Sequence, residues 1–135
     1  MFQNRGTVYA RSSQPELAIE DYKRALQLDP SLVAVHRSLA NVYFRITQFE
    51  KAIPHFQEAL ANDAGNVIAR MRLADSFARL SRRSEAIEQY SIILKAEPSN
   101  TNALRNRGIV LAQTDQLKAA LDDFNRSIVL SLIHI

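Results

Sequence analysis

Three short runs of the chain place side chains that grip carboxylates and peptide groups at helical spacing. Arg37, Asn41 and Arg45 fall four residues apart, so they share one stripe of a helix. Thirty-four residues on, the same stripe reads Met71, Asp75 and Arg79, with Arg72 beside it. A further step gives Arg105, Ile109 and Gln113, flanked by Asn102 and Asn106. Guanidinium forks hold carboxylates and side-chain amides pair with peptide backbone, so this set suits an acidic or extended peptide. Weighed beside that, a charged helix face is commonly only solvated. Catalysis draws less support. His36, His55 and His134 are the only histidines, none has metal-ligand or triad spacing, and His36 takes the place of a large packing residue. The acid pairs Glu20–Asp21 and Asp122–Asp123 are expected on solvated outer faces. Gly6, Gly65 and Gly108 are too isolated to form a phosphate loop. No catalytic residue, metal site or cofactor is expected.

What positions the arginines is a repeat. Ala18, Ala52, Ala86 and Ala120 stand 34 residues apart, each followed four residues later by an aromatic: Tyr22, Phe56, Tyr90 and Phe124. Small residues recur earlier in the frame as Gly6, Ala40, Ala74 and Gly108, with Tyr9, Tyr43, Phe77 and Leu111 three residues after them. Such a period signals stacked helical units. Each unit reads as two helices joined by a tight turn. Helix A is expected near 1–11, 33–46, 67–80 and 101–114, and helix B near 14–28, 48–62, 82–96 and 116–130. The small residue on A and the Ala on B let the backbones approach, and the aromatics fill the space beside them. Ser13, Thr47, Ser81 and Asp115 read as N-caps of the B helices, with Glu16 and Glu50 completing capping boxes. Pro30 and Pro98 fall where a helix must stop, while Pro54, inside a B helix, is expected to kink it locally. One hairpin cannot cover its own apolar faces, so the units must stack.

Composition agrees with that layout. The 135 residues are 47% hydrophobic and 23% charged, which reads as globular, and three Gly and four Pro leave little room for long loops. With no Cys there is no disulfide, thiolate metal site or cysteine nucleophile. No apolar run approaches the roughly 20 residues of a membrane span, and the start of the chain lacks a signal-peptide layout. A cytoplasmic address is expected from these features. The formal net charge is only +3, but its distribution is uneven. The A helices hold nine arginines (5, 11, 37, 45, 70, 72, 79, 105 and 107) against one acid, Asp75. The B helices carry seven bases and nine acids, with Arg82 counted in the preceding turn.

These positions resemble the tetratricopeptide repeat (TPR) pattern, which has a large residue, a Leu-Gly or Leu-Ala pair, aromatics, Ala and Pro at fixed offsets. Four units are matched: Phe2, Gly6, Tyr9, Ala18, Tyr22, Ala25 and Pro30; Leu39, Ala40, Tyr43, Ala52, Phe56 and Ala59; Leu73, Ala74, Phe77, Ala86, Tyr90 and Pro98; and Gly108, Ala120 and Phe124. Departures are Arg5 and Arg107 where Leu is usual, Ala64 for the turn Pro, and Ile93 and Ser127 for a small Ala. The resemblance implies an all-α, right-handed α-solenoid of antiparallel helix pairs, a TPR superhelix, with repeats at about 1–32, 33–66, 67–100 and 101–130. In such arrays the A helices line a concave groove, so the resemblance implies a basic groove formed by Arg37, Asn41, Arg45, Arg72, Arg79, Arg105 and Asn106.

A non-enzymatic protein–protein interaction scaffold or adaptor is the function implied, with another protein as partner through an acidic or extended segment. The TPR clamp for the carboxylate tail of heat-shock chaperones uses Lys, Asn, Asn, Lys and Arg. Those places hold Gln3, Thr7, Ser38, Ile68 and Arg72, or one unit on, Arg37, Asn41, Arg72, Asn102 and Asn106, so the clamp is not matched. The alternative is the repeat region of a larger enzyme or regulatory protein. Nucleic-acid binding is less favoured, because the frame uses the aromatics and leaves mainly Phe44 and Phe49 for base stacking. Residues 131–135, within the closing LSLIHI, fall where the frame calls for an acid–Pro turn. They are expected to be a non-native tail, and the chain a fragment of a longer repeat protein.

Overall fold

The computed structural model describes residues 2–11 and 13–133. The side chains of Phe2 and Arg11, Met1 at the expected start of the first helix, and His134 and Ile135 of the expected tail lie outside the described residues. Among those residues there are eight helices and no strand. They are α1 (Phe2–Arg11), α2 (Pro15–Leu28), α3 (Val33–Arg45), α4 (Phe49–Asn62), α5 (Val67–Arg79), α6 (Arg83–Ala96), α7 (Thr101–Gln113) and α8 (Leu117–Ile133). Odd-numbered helices are the A helices of the sequence frame and even-numbered helices the B helices. The class is an all-α helical solenoid.

The chain divides into two compact units, Met1–Ala69 and Arg70–Ile135. In the first, α1 packs on α2, α2 on α3, and α3 on α4. Its core is Ala18, Tyr22, Leu39, Ala40, Ala52 and Phe56, all essentially without solvent exposure. In the second, α6 packs on α7 and α7 on α8, around Phe77, Ala86, Tyr90, Ile93 and Leu104. The small residues act as the frame requires. A Cβ built on Gly6 would lie 2.9 Å from Cε1 of Tyr22, and one on Gly108 would lie 2.8 Å from Cε1 of Phe124. The aromatic of helix B therefore occupies the space that a side chain on helix A would need.

The turns between paired helices correct the capping expectation. Ser13, Thr47, Ser81 and Asp115 are not N-caps; they are left-handed residues, with φ of 60°, 63°, 60° and 60°. Each ends the A helix. The N–H one residue further on bonds the carbonyl of the frame's large residue: Gln14 to Tyr9 at 2.8 Å, Gln48 to Tyr43 at 2.8 Å, Arg82 to Phe77 at 2.8 Å and Gln116 to Leu111 at 2.9 Å. The left-handed residue's own N–H reaches back three positions, as Thr47 does to Phe44 at 3.0 Å. This pair of bonds is the Schellman motif. The N-cap position itself falls to Gln14, Gln48 and Arg82, none of which makes a side-chain capping bond, so the capping boxes do not form.

Helices α5 and α7 are capped by asparagine. Asn66 and Asn100 accept from the backbone N–H of Ala69 and Ala103, each at 3.0 Å. Helix α4 continues through Pro54, which stands on its exposed side.

Candidate functional site

One position of helix B is polar in all four hairpins: Asp21, His55, Gln89 and Asp123. Each finds a partner on its own A helix, either 16 or 19 residues earlier. Arg5 donates through Nε to Asp21 Oδ2 at 2.7 Å and through Nη2 to Oδ1 at 2.9 Å. Arg107 repeats the fork on Asp123, at 2.7 Å from Nε and 2.7 Å from Nη2, and also donates to Ser91 Oγ at 3.2 Å. Arg70 Nη1 donates to Gln89 Oε1 at 2.7 Å. In the second hairpin His36 and His55 face each other, with their Nδ1 atoms 3.0 Å apart.

The two Arg–Asp forks overturn the expectation that the acid pairs are solvated. Glu20 and Asp122 are exposed, but Asp21 and Asp123 are only 3% and 4% exposed. The hydrogen bond from Arg5 holds the Asp21 carboxyl below its usual range, and the bond to Asp21 raises Arg5. Arg107 is raised in the same way by Asp123. The forks also explain why Arg5 and Arg107 replace Leu: a buried carboxylate needs a charged, bidentate partner. Two of the nine A-helix arginines are therefore neutralised inside their own hairpins.

Several groove candidates have local partners as well. In the first unit, Arg37 and Asn41 are half-buried, and Arg45 is exposed with Nη2 donating to the Ala10 carbonyl at 3.1 Å. In the second, Arg105 is exposed and donates to Asn102 Oδ1 at 2.9 Å, while Arg72 is half-buried and Arg79 exposed. Asn106 donates to Asp75 Oδ1 at 3.3 Å. Asp75, the single acid of the A helices, also accepts from the Tyr90 hydroxyl. Burial raises the Asp75 carboxyl, against the opposing pull of Tyr90, Asn106, Arg72 and Arg79. Burial and the bond to Asp75 push the Tyr90 hydroxyl far up. In the second unit the structure thus brings Asn106 and the charges of Arg72 and Arg79 to Asp75, the one acid that the sequence reading placed in this stripe.

Comparison with families of known proteins identifies the kind of repeat. A family model described as a tetratricopeptide repeat matches residues 37–96 and 71–131, and one described as a TPR repeat matches residues 6–46. The chain belongs to the tetratricopeptide repeat family. Among solved structures, this TPR chain is similar to MamA MSR-1, with a TM-score of 0.93 and 21% identity over 99% of this chain and 77% of that one. MamA AMB-1 gives 0.90 and 23% identity over 96% and 76%. A double mutant of MamA RS-1 gives 0.91 and 17% identity over 98% and 75%. Comparison with curated proteins finds no match.

Two features of the TPR hairpins escaped sequence reasoning. Phe44 and Phe49 meet each other edge to face at 5.5 Å, and Phe44 also meets Phe56 at 6.2 Å. The His36–His55 pair was missed too. Its signal lies in the frame: Arg70 and Gln89, which touch in the third repeat, each stand 34 residues after these histidines. Among the described residues no helix is long and apolar enough to cross a membrane.

Proposed function

We propose that this chain is a non-enzymatic protein-interaction scaffold whose A helices take an acidic or extended segment of a partner protein. The observation that carries the reading is the sign of the A helices: nine arginines against one acid. The forks on Asp21 and Asp123 account for Arg5 and Arg107 and leave a basic excess on α3, α5 and α7. TPR membership supports a binding role, and the asparagines 41, 102 and 106 suit the peptide groups of an extended chain. Individual exposed ion pairs contribute only about 0–1 kcal/mol, so several must act together for binding of useful strength.

The test is charge reversal. An acidic peptide library is screened against the purified chain, and the best binder is measured again on the triple variant Arg37→Glu, Arg72→Glu, Arg105→Glu. Binding should be lost while the far-ultraviolet helical signal is kept. Binding that survives the triple change would overturn the reading. So would equal binding of any polyanion with a steep salt slope, which is the signature of a nucleic-acid surface.

A further inference from the structure

The hairpin α3–α4 holds a pair of side chains that the interaction reading does not use. We propose that His36 and His55 form a two-histidine site for a divalent transition metal ion of the zinc, nickel or copper type, with water filling the remaining positions. The distance comes first. Two imidazole nitrogens bound to one such ion at about 2.0–2.1 Å each, at cis or tetrahedral angles, stand about 2.9–3.4 Å apart. The two Nδ1 atoms are already 3.0 Å apart, one on α3 and one on α4. The ring centroids lie 5.2 Å apart with an interplanar angle of 28°, so a modest turn of each ring aims both lone pairs at a common point beside the line joining them.

The surroundings of the rings fit the same chemistry. Nε2 of His36 lies 2.9 Å from the Pro30 carbonyl. A carbonyl only accepts, so this bond puts the His36 proton on Nε2 and leaves Nδ1 with a lone pair. An outer N–H given to a backbone carbonyl is the usual support of a metal-binding histidine. In the ion-free pair, His55 must then donate Nδ1–H to His36. On metal entry that proton moves to Nε2 of the same ring, both rings stay neutral, and no net proton is released.

Burial, His36 and Lys23 hold His55 in its neutral form, while Glu58 opposes them. Lys23 on α2 and Glu58 on α4 are therefore charged groups of opposite sign near the ring. Both histidines are half-buried, so an ion and its waters can reach them. Among the described residues no cluster of three or more His, Cys, Asp or Glu side chains is placed to hold a metal, so the protein supplies two ligands. That donor set predicts an exchangeable ion rather than a permanent structural one.

The chain, untagged and stripped with chelator, is titrated with zinc chloride, nickel chloride and copper(II) sulfate. Calorimetry and thermal unfolding are the readouts. At least one metal should bind at one equivalent and raise the unfolding midpoint, because an ion bridging α3 and α4 binds only the folded hairpin. His36→Gln and His55→Gln should each weaken binding by about tenfold or more. His134→Gln should leave it unchanged. Histidine-selective nitrogen NMR of the unaltered chain keeps the test independent of variant folding: the Nδ1 resonances of two rings should move. No binding of any of the three ions, unchanged affinity in both variants, loss in His134→Gln, or movement of Nε2 instead of Nδ1 would each overturn the site. None of these outcomes depends on whether the A helices bind a peptide.

Discussion

At the scale of single residues, the polar slot on helix B shows how repeats with one backbone carry different chemistry. Repeats one and four fill it with Asp and oppose it with Arg 16 residues earlier; the third repeat fills it with Gln89 and opposes it with Arg70, 19 residues earlier. Removing only one partner of the buried pair should be costly. Arg107→Leu leaves the Asp123 carboxylate almost fully enclosed without its fork, which should cost about 3 kcal/mol. The double change Arg107→Leu, Asp123→Leu removes both members of the pair and should return to within about 1 kcal/mol of the starting stability. Urea midpoints of the two single variants and the double variant give the coupling, and additive losses would show that the fork does not hold the hairpin.

This slot was only half legible in the sequence. Arg5 and Arg107 stood out as departures from Leu, and Asp21 and Asp123 as acids, but the period of the repeat does not say which side of helix B meets helix A. That depends on how the hairpin closes, and closure is set by the buried aromatics. The groove stripe had the opposite difficulty. Its residues were easy to name, yet spacing along one helix could not reveal that Asn106 and Tyr90 converge on Asp75 from two others.

At the scale of elements, the helices were legible because each start and stop recurs with the period. The observed starts fall within one or two residues of those expected. The turn was misread because Ser, Thr and Asp serve two purposes. They are good N-caps, and here the same residues close the preceding helix in the left-handed conformation, where glycine is the usual choice. Thr47 has the least reason to be there, since a β-branched side chain crowds the backbone at φ of 63°. Left-handed strain costs about 1–2 kcal/mol and the extra freedom of glycine in the unfolded chain returns about 0.5–1. Thr47→Gly should therefore stabilise the chain by roughly 1 kcal/mol, seen as a higher urea midpoint with an unchanged slope. The bond from Thr47 Oγ1 to the Ile46 carbonyl is exposed and should matter little. A lower midpoint would mean that the turn relaxes out of this conformation in solution.

At the scale of the whole molecule, each helix of a repeat array has only its neighbours to lean on, so damage should stay where it is made. Gly6 offers the cleanest test. A methyl group there meets Tyr22 at 2.9 Å, and the ring has nowhere to go: it is 2% exposed, and its hydroxyl bonds Thr7 Oγ1 at 3.1 Å. Overpacking costs about 1–3 kcal/mol, against about 1 kcal/mol gained in helix propensity, so Gly6→Ala should be destabilising on balance. Phe124, the corresponding partner of Gly108, is only half-buried and can yield more readily, so Gly108→Ala should cost less. Hydrogen exchange reads where the loss falls. In Gly6→Ala, protection should drop in α1 and α2 and hold in α7 and α8, because those helices share no packing partner with α1. An equal drop in all four would mean that the chain unfolds as one cooperative body. In that case a partner bound at one end would stabilise the whole array, whereas local opening confines its effect to the hairpins it touches.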